Sequence, residues 1–291
     1  MWFYFALITS LISAVSVILN KKLLKEVSPS VLTWCTLLLA TPIVAIYAIN
    51  EGIPSINWLF FIGVIGSVIF YSAAAITRFR AMKATELSTI YPLVSLGPIF
   101  TMIFAFLPPL NEKPHSLAIF GVIIIFLGCY ILNVSNAKEG LFKPIKLLFE
   151  NKISALMILS VVLESIILIF DKLAIVNTMP GNSTFALMCE NILIILGFLP
   201  ILYLRKIDFT SQIFKNKWIF LLIGTLNSVS TILAFSAVSG GNVGIVSAIF
   251  KMQLLFVLLF SFIFFKDKPK LETVIGSVIM IAGVVLIKLG L

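Results

Sequence analysis

Long apolar runs recur almost without pause along this chain, each about 18–23 residues long, which is the length a helix needs to cross ~30 Å of hydrocarbon. Membrane-spanning β-strands would be about ten residues long and alternating in polarity, so the pattern favours helices. The sequence therefore predicts an all-α polytopic membrane protein of ten transmembrane helices. Numbered 1 to 10, the predicted helices are Trp2–Leu19, Val31–Ile49, Trp58–Ile76, Leu87–Leu107, Leu117–Val134, Ile153–Ala174, Phe185–Leu204, Trp218–Val238, Val243–Phe265 and Leu271–Leu289.

The composition excludes a water-soluble fold of this size. Of the 291 residues, 60% are hydrophobic and 11% are charged, with a mean hydropathy of +1.16. A soluble domain carries about 25% charged residues. The net charge of +9 would suit a nucleic-acid partner in a soluble chain, but here the basic residues lie between apolar runs, where they contact anionic headgroups. We therefore expect membrane lipid, and no nucleic acid, as a partner.

The two halves of the chain carry the same features in the same order. A lysine closes predicted helices 1 and 6, and an acidic-Lys-Pro turn precedes helices 5 and 10, which both contain two spaced glycines. The matched positions are Lys21 with Lys172, Pro29 with Pro180, Glu112-Lys113-Pro114 with Asp267-Lys268-Pro269, Gly121 with Gly276, and Gly128 with Gly283. This order predicts a five-helix repeat at 1–137, a connecting loop at 138–152 and a second five-helix repeat at 153–291.

The distribution of basic residues indicates that the two repeats are inverted. Most of the 21 Lys and Arg residues follow odd-numbered predicted helices. By the positive-inside rule these connections are cytoplasmic and both termini are non-cytoplasmic, in a multi-pass protein of the cell (inner) membrane. The basic connection after predicted helix 1 corresponds to the connection after helix 6, which has few charges. This is expected when each repeat has an odd number of helices, because the second repeat then enters the membrane from the opposite side. Transporters built from inverted repeats bind their solute near the midplane between the halves.

These features resemble the drug/metabolite transporter superfamily, specifically its ten-helix EamA-type members, over nearly the whole chain. The resemblance rests on the twin acidic-Lys-Pro turns, the glycine-spaced helices, and Pro98, which is similar to the family's helix-4 proline and corresponds to Gln253 in the second half. It implies a ten-helix bundle with a central cavity that works by alternating access without ATP or another cofactor. One departure is that Ser13-Ala14 and Glu164-Ser165 stand where the family often carries a Trp-Gly pair.

Three ionisable residues lie well inside apolar runs: Glu164 in predicted helix 6, Glu190 in helix 7 and Lys251 in helix 9. Each costs about 2.5–3.5 kcal/mol on insertion scales, so each needs a partner or a water-filled cavity. Either they line a transport path, or Glu190 and Lys251 form a buried ion pair that fixes helix packing. Glu164 precedes Lys172 by two helical turns, a spacing that resembles small multidrug resistance transporters, whose glutamate exchanges protons for cationic substrates.

Five further residues are candidates for substrate binding: Ser13, Tyr71, Tyr91, Asn227 and Gln253. Tyr91 resembles the cavity-facing tyrosine of the same relatives, and its alternative role is helix packing. Asn227 belongs to a polar stripe on predicted helix 8, and such Ser/Thr stripes more often hold helices together. Tyr71 has the same two interpretations. Ser13 is the repeat mate of Glu164, so the two halves would present unequal chemistry to one cavity.

The sequence thus predicts a secondary transporter for a small metabolite or drug-like solute, such as an amino acid, an amine or a nucleoside. Proton coupling through Glu164 is one mechanism. An alternative of another class is a lipid-linked headgroup carrier or flippase of the same fold. An intramembrane enzyme would need clustered catalytic groups, and neither the lone His115 nor three dispersed cysteines supply a catalytic or metal site. We expect a monomeric functional unit.

Overall fold

A computed structural model describes residues 1–84, 93–134, 152–204, 207–265 and 271–290, and most of these residues are helical. Two short strands, β1 and β2, pair antiparallel. In chain order the elements are α1 (Trp2–Leu23), α2 (Pro29–Asn50), β1 (Ser55–Ile56), α3 (Trp58–Ala84), α4 (Gly97–Phe106), α5 (Ser116–Val134), α6 (Lys152–Val176), β2 (Thr178–Met179), α7 (Ser183–Leu204), α8 (Phe209–Lys215), α9 (Lys217–Gly240), α10 (Val243–Phe250), α11 (Met252–Phe265) and α12 (Leu271–Leu289).

The fold is that of an all-α polytopic membrane protein. Within the described residues, seven helical segments are long and apolar enough to cross a membrane: α1, α2, α3, α6, α7, α9 and the segment Val243–Phe260, which combines α10 with part of α11. Shorter apolar helices cover Gly97–Phe106, Ser116–Ile131 and Val274–Leu289. The long apolar runs in the sequence are therefore helices.

Helix α3 is longer than the sequence predicted, because it ends at Ala84 and not at Ile76. Arg78, Arg80 and Lys83 therefore belong to the helix, which corrects their placement in a connection. The apolar run does end near Ile76. The helix continues because long basic side chains can reach water or a polar partner while their stems stay on an apolar surface.

Predicted helices 4 and 9 are both interrupted. Predicted helix 9 consists of two helices, α10 and α11, which break at Lys251. In predicted helix 4, of which residues 87–92 lie outside the described part, residues 93–94 are helical, residues 95–96 form a turn, and α4 begins at Gly97 with Pro98 in its first turn. Proline suits this position because the first N–H groups of a helix have no intrahelical partner. Interrupted helices near the middle of a bundle are typical of transporter binding sites.

The extensive helix packing joins the first half of the chain to the second: α5 packs on α12, α3 on α6, α1 on α9, α2 on α7 and α4 on α10. Glycines permit close approach of the backbones at several of these contacts. A Cβ atom added to Gly121 would lie 2.8 Å from the carbonyl oxygen of Gly283, and the reverse substitution gives the same distance. Small residues are the usual means of close helix approach in membranes. The two halves therefore interlock.

The connections gather at two opposite ends of the bundle. At one end, which we call the terminal face, Lys288 donates a hydrogen bond of 2.6 Å to the hydroxyl group of Tyr4, and β1 pairs with β2. At the other end, which we call the basic face, Lys215 Nζ lies 2.9 Å from Glu26 Oε2. The connections after α2 and α6 thus lie at the terminal face, and those after α1 and α7 lie at the basic face.

Candidate functional site

A cavity of about 310 Å³ lies inside the bundle, lined by α1, α3, α6, α7, α9 and α10 together with residues of α2, α4 and α11. Helices from both halves of the chain therefore share one space. Besides Tyr71, its lining holds the ionisable residues Arg78, Glu164, Asp171, Glu190 and Lys251. Charged groups at membrane depth are costly and mark functional paths, so this cavity is the candidate site.

Most of the candidate residues taken from the sequence face this one cavity. Its lining includes Ser13, Tyr71, Glu164, Glu190, Asn227, Lys251 and Gln253. The remaining candidate, Tyr91, lies outside the described residues. The structure places these seven side chains around one cavity. The role of each of them in substrate binding or coupling stays a prediction.

Glu164 on α6 contacts Arg78 on α3 across the cavity. Arg78 Nη1 lies 2.8 Å from Glu164 Oε1, which is typical of a charge-assisted hydrogen bond. Their side chains are 32% and 28% exposed, so both still reach open space. The sequence indicated that Glu164 needs a partner or a water-filled cavity, without identifying the partner. Glu164 is paired because α3 continues beyond Ile76 and brings Arg78 alongside.

Lys251 joins this pair from the break between α10 and α11. A Cβ atom on Gly97 would lie 3.1 Å from Lys251 Cε and 3.2 Å from Nζ, so the glycine leaves room for the lysine. Lys251, Glu164 and Arg78 line the same two cavities, so the ammonium group shares this space with one opposite and one like charge. We call Arg78, Glu164 and Lys251 the ion-pair cluster. Glu190, the expected alternative partner of Lys251, contacts other residues.

A second group, which we call the carboxyl cluster, consists of Ser67 on α3, Asp171 on α6 and Glu190 on α7. Ser67 Oγ lies 2.5 Å from Asp171 Oδ1 and 3.0 Å from Glu190 Oε2. Asp171 and Glu190 are only 5% and 4% exposed. Within the described part of the chain, Glu190 Oε1 and the neighbouring Asn191 Nδ2 are buried without a hydrogen-bond partner. This cluster therefore keeps unused polar atoms at the cavity wall.

Ser67, Arg78 and Asp171 were not identified from the sequence, although their spacing carries a signal. Asp171 follows Glu164 by two helical turns on α6, so both side chains project from one face. Ser67, Tyr71 and Arg78 likewise follow one face of α3, at helical spacings of four and seven residues. Where α3 packs on α6, Ser67 meets Asp171 and Arg78 meets Glu164. The missing information was which two helices pack together.

A second cavity of about 190 Å³ continues from the ion-pair cluster toward the basic face. It shares the cluster, Ser13, Asn227 and Gln253 with the first cavity and extends to Asn20 and Met82. The ion-pair cluster therefore lies where the two cavities meet. Together they form a path with charged groups at two levels, and the carboxyl cluster lies at the other end of the first cavity.

The polar stripe on α9 serves packing at some positions and the cavity at others. Ser230 Oγ lies 3.1 Å from Ser13 Oγ on α1, and Thr231 Oγ1 donates to the carbonyl of Asn227 in its own helix. Asn227 Nδ2 is buried, with no hydrogen-bond partner in the described ranges. Ser230 thus holds two helices together, whereas Asn227 keeps a donor available at the cavity.

Comparisons with known proteins show the family and the fold of the chain. The sequence model of the EamA-like transporter family matches residues 1–134 and 151–289. The chain also matches 28 solved chains. In one of them, a crystal structure of a protein, the match covers 99% of this chain and 95% of the other chain. Its TM-score is 0.70 at 13% sequence identity, so it shows a shared fold. No curated protein matches the chain.

Proposed function

The chain belongs to the EamA-like transporter family, whose members are membrane transporters of small solutes, and we propose that it works as a secondary transporter by alternating access. The observation that carries this proposal is the central cavity, which both halves of the chain line with charged and polar side chains. In a bundle this apolar, such groups are retained where a polar solute or ion passes. The cavity is therefore the proposed solute site.

We further propose ten transmembrane helices in two inverted five-helix repeats, and the helix pairing supports this. A two-fold relation between the halves requires exchanged partners. The first helix of one repeat should pack on the third of the other, as α1 does on α9 and α6 does on α3. Second, fourth and fifth helices should pair with their own mates, as α2 and α7, α4 and α10, and α5 and α12 do.

Two matched lysines give independent support to the inversion. Lys21, near the end of α1, donates to the carbonyl of Met82 near the end of α3. Lys172, near the end of α6, donates to the carbonyl groups of Val238 and Ser239 at the end of α9, at 2.6 and 2.9 Å. A cation at a helix C-terminus is favourable. The same contact occurs in each half, at the basic face in the first and at the terminal face in the second.

We propose that the basic face is cytoplasmic and that both termini lie on the other side of the cell membrane. In the sequence most of the lysines and arginines follow odd-numbered predicted helices, and segments with this bias stay in the cytoplasm. A reporter fused to the C-terminus should therefore be active only if it functions outside the cytoplasm. A cytoplasmic signal from that fusion would reverse the proposed orientation and leave the cavity argument unaffected.

The charges in the cavity favour a solute that carries both signs. Arg78 and Lys251 offer donors to an anionic group, and the carboxyl cluster offers acceptors to a cationic nitrogen. A volume of about 310 Å³ suits a small solute. Among the expected classes, an amino acid meets both requirements, an amine meets one, and a neutral nucleoside meets neither. We therefore propose an amino acid or a similar small zwitterion as the substrate.

A thermal-shift screen of the purified protein against amino acids, amines, nucleosides and a lipid-linked sugar tests this proposal. A ligand at 100 times its Kd should stabilise the folded state by about 2.7 kcal/mol. We expect this from a zwitterion, with loss of the shift in Lys251→Met. Lys288→Met is the matched control, because Lys288 lies outside the cavity and bonds Tyr4. No shift with any solute, or an unchanged shift in Lys251→Met, would contradict the site, and a shift with the lipid-linked sugar alone would favour a headgroup carrier.

A further inference from the structure

We propose that the carboxyl cluster of Ser67, Asp171 and Glu190 is the site that binds a coupling proton, and that Glu164 does not have this role. This inference rests on the proposed transport function. It concerns a different level of the cavity from the ion-pair cluster, because Glu164 and Asp171 lie roughly 10 Å apart along the axis of α6.

The oxygen positions in the cluster call for a proton on one of the two carboxyl groups. The Ser67 hydroxyl has a single hydrogen to donate, yet its oxygen lies within hydrogen-bond distance of Asp171 Oδ1 and of Glu190 Oε2. If it donates to one carboxylate, the other contact needs a carboxyl O–H that donates to Ser67. The 2.5 Å contact is as short as those of ionised acceptors. The cluster thus has the geometry of one ionised and one protonated carboxyl.

Among the described residues, the ion pairs found, Arg78 with Glu164 and Lys215 with Glu26, leave Asp171 and Glu190 without a salt bridge. Tyr71, one turn after Ser67 on α3, lines the same cavity, and Cys189 is the residue before Glu190 on α7; neither side chain type carries a positive charge. Lys172, the next residue on α6, directs its ammonium to carbonyl groups of α9. The neighbouring helices α4 and α10 contain no charged residue, and the charged residue of α9, Lys217, lies at the basic face. Two buried carboxylates in contact therefore depend on a proton for neutralisation.

Glu164 differs because its negative charge is already balanced. Arg78 donates to it at 2.8 Å, and Lys251 adds a second favourable interaction. Protonation of Glu164 would leave two cations together in the cavity. Glu164 thus neutralises the two cations beside it, whereas the carboxyl cluster binds a proton.

Unused polar atoms show where a solute would act on the proton. Glu190 Oε1 and Asn191 Nδ2 are buried, without a hydrogen-bond partner in the described part of the protein, and both residues line the cavity. A cationic nitrogen that donates to Glu190 Oε1 adds one positive charge to the cluster. Release of the shared proton to water removes one positive charge. The exchange keeps the charge of the cavity constant, and no bond other than the O–H bond breaks.

Infrared difference spectroscopy of the full-length protein in lipid tests this inference without any solute. A change of pH should produce a carbonyl band of a protonated carboxyl group in the wild type. Asp171→Asn and Glu190→Gln should each remove that band at the same pH, whereas Ser67→Ala should shift its frequency because the hydroxyl contact is lost. Thermal unfolding of each variant shows which of them are folded, and the two isosteric carboxyl variants provide independent readings.

Glu26→Gln is the matched control, since Glu26 lies at the basic face and pairs with Lys215. A band that survives in both carboxyl-cluster variants would overturn the inference, as would a band that disappears in Glu164→Gln, because the titrating group would then be Glu164. A negative result in the solute screen would count against the transport proposal, and the infrared band would remain a separate measurement of the proton site.

Discussion

The two polar clusters of the cavity are built on the same pair of helices, and they neutralise their carboxylates in different ways. On α6, Glu164 and Asp171 project from one face. On α3, the residue opposite Glu164 is Arg78, whereas the residue opposite Asp171 is Ser67. A cation fixed on the scaffold balances the first carboxylate permanently. A hydroxyl group cannot do so, and the second carboxylate depends on a proton or a bound solute. The partner across the helix contact decides what a buried acid does.

The largest effect should come from Glu164→Gln, which removes the carboxylate from the ion-pair cluster. Arg78 and Lys251 then remain near each other without this acceptor. Breaking a buried pair costs 3–5 kcal/mol, and because both side chains are about a third exposed we expect about 2 kcal/mol. Chemical unfolding in detergent should measure this loss of stability. The double variant Arg78→Gln with Glu164→Gln should recover most of it, and a double variant as unstable as the single one would mean that the pair is not the cause.

A smaller effect, of opposite sign, should follow from Asp171→Asn. The change keeps the shape and an acceptor for Ser67, and it separates no ion pair because the facing group is another carboxyl. Removal of one of the two acids leaves a single buried carboxyl that can stay neutral, so no negative charge remains buried in the cluster, and stability should be unchanged or raised by about 1 kcal/mol. The same unfolding assay provides the measurement. A loss as large as that of Glu164→Gln would remove the distinction between the two clusters.

The smallest effect on stability should come from Glu112, which lies outside the spanning helices, between α4 and α5. Its titration can be compared with that of the carboxyl groups in the two clusters. Glu112 accepts a hydrogen bond of 2.8 Å from the N–H of Val243 at the start of α10. Burial raises the pKa of Glu112 above its usual value, and the contacts with Val243 and Lys172 oppose this only in part. The folded protein therefore binds this proton more tightly than the unfolded chain.

The resulting dependence on pH has a defined sign. The contribution of Glu112 to stability is fully present at acidic pH and falls as the pH rises from the usual carboxyl value to the raised one. Glu112→Gln keeps an acceptor for Val243 and cannot titrate. The difference in unfolding free energy between wild type and variant should therefore shift in favour of the variant as the pH rises across that window. A difference that stays constant with pH would contradict the burial of this group.

The sequence predicted the helices well because hydrophobic length reports membrane crossing directly. Predicted helix 10 agrees residue for residue with α12, Leu271–Leu289. Charged residues inside apolar runs, Glu164, Glu190 and Lys251, were correctly expected to need partners, since burial is costly whatever surrounds them. The partners themselves were missed. Pairing depends on which faces meet, and an apolar run cannot indicate that.

Two local features also escaped the sequence analysis for physical reasons. The continuation of α3 to Ala84 was missed because the predicted helix was ended where the apolar run ends. Basic residues lower the hydropathy of the last helical turns, but they do not break the backbone hydrogen bonds. The break at Lys251 was hidden because neither glycine nor proline marks it. Tyr91 lies outside the described residues, so its expected role in the cavity stays a prediction.

Arg78 and Glu164 are 86 residues apart in the chain, and this separation matters when the protein is synthesised. Synthesis proceeds from the N-terminus, so α3 reaches the bilayer before α6 exists. During this interval the guanidinium group of Arg78 can extend to the lipid headgroups, because the residue lies within two turns of the end of α3. The pair with Glu164 can form only once α6 has entered. A nascent chain that stops short of α6 should therefore hold Arg78 at the membrane surface, and the cavity is assembled only after the second half has entered.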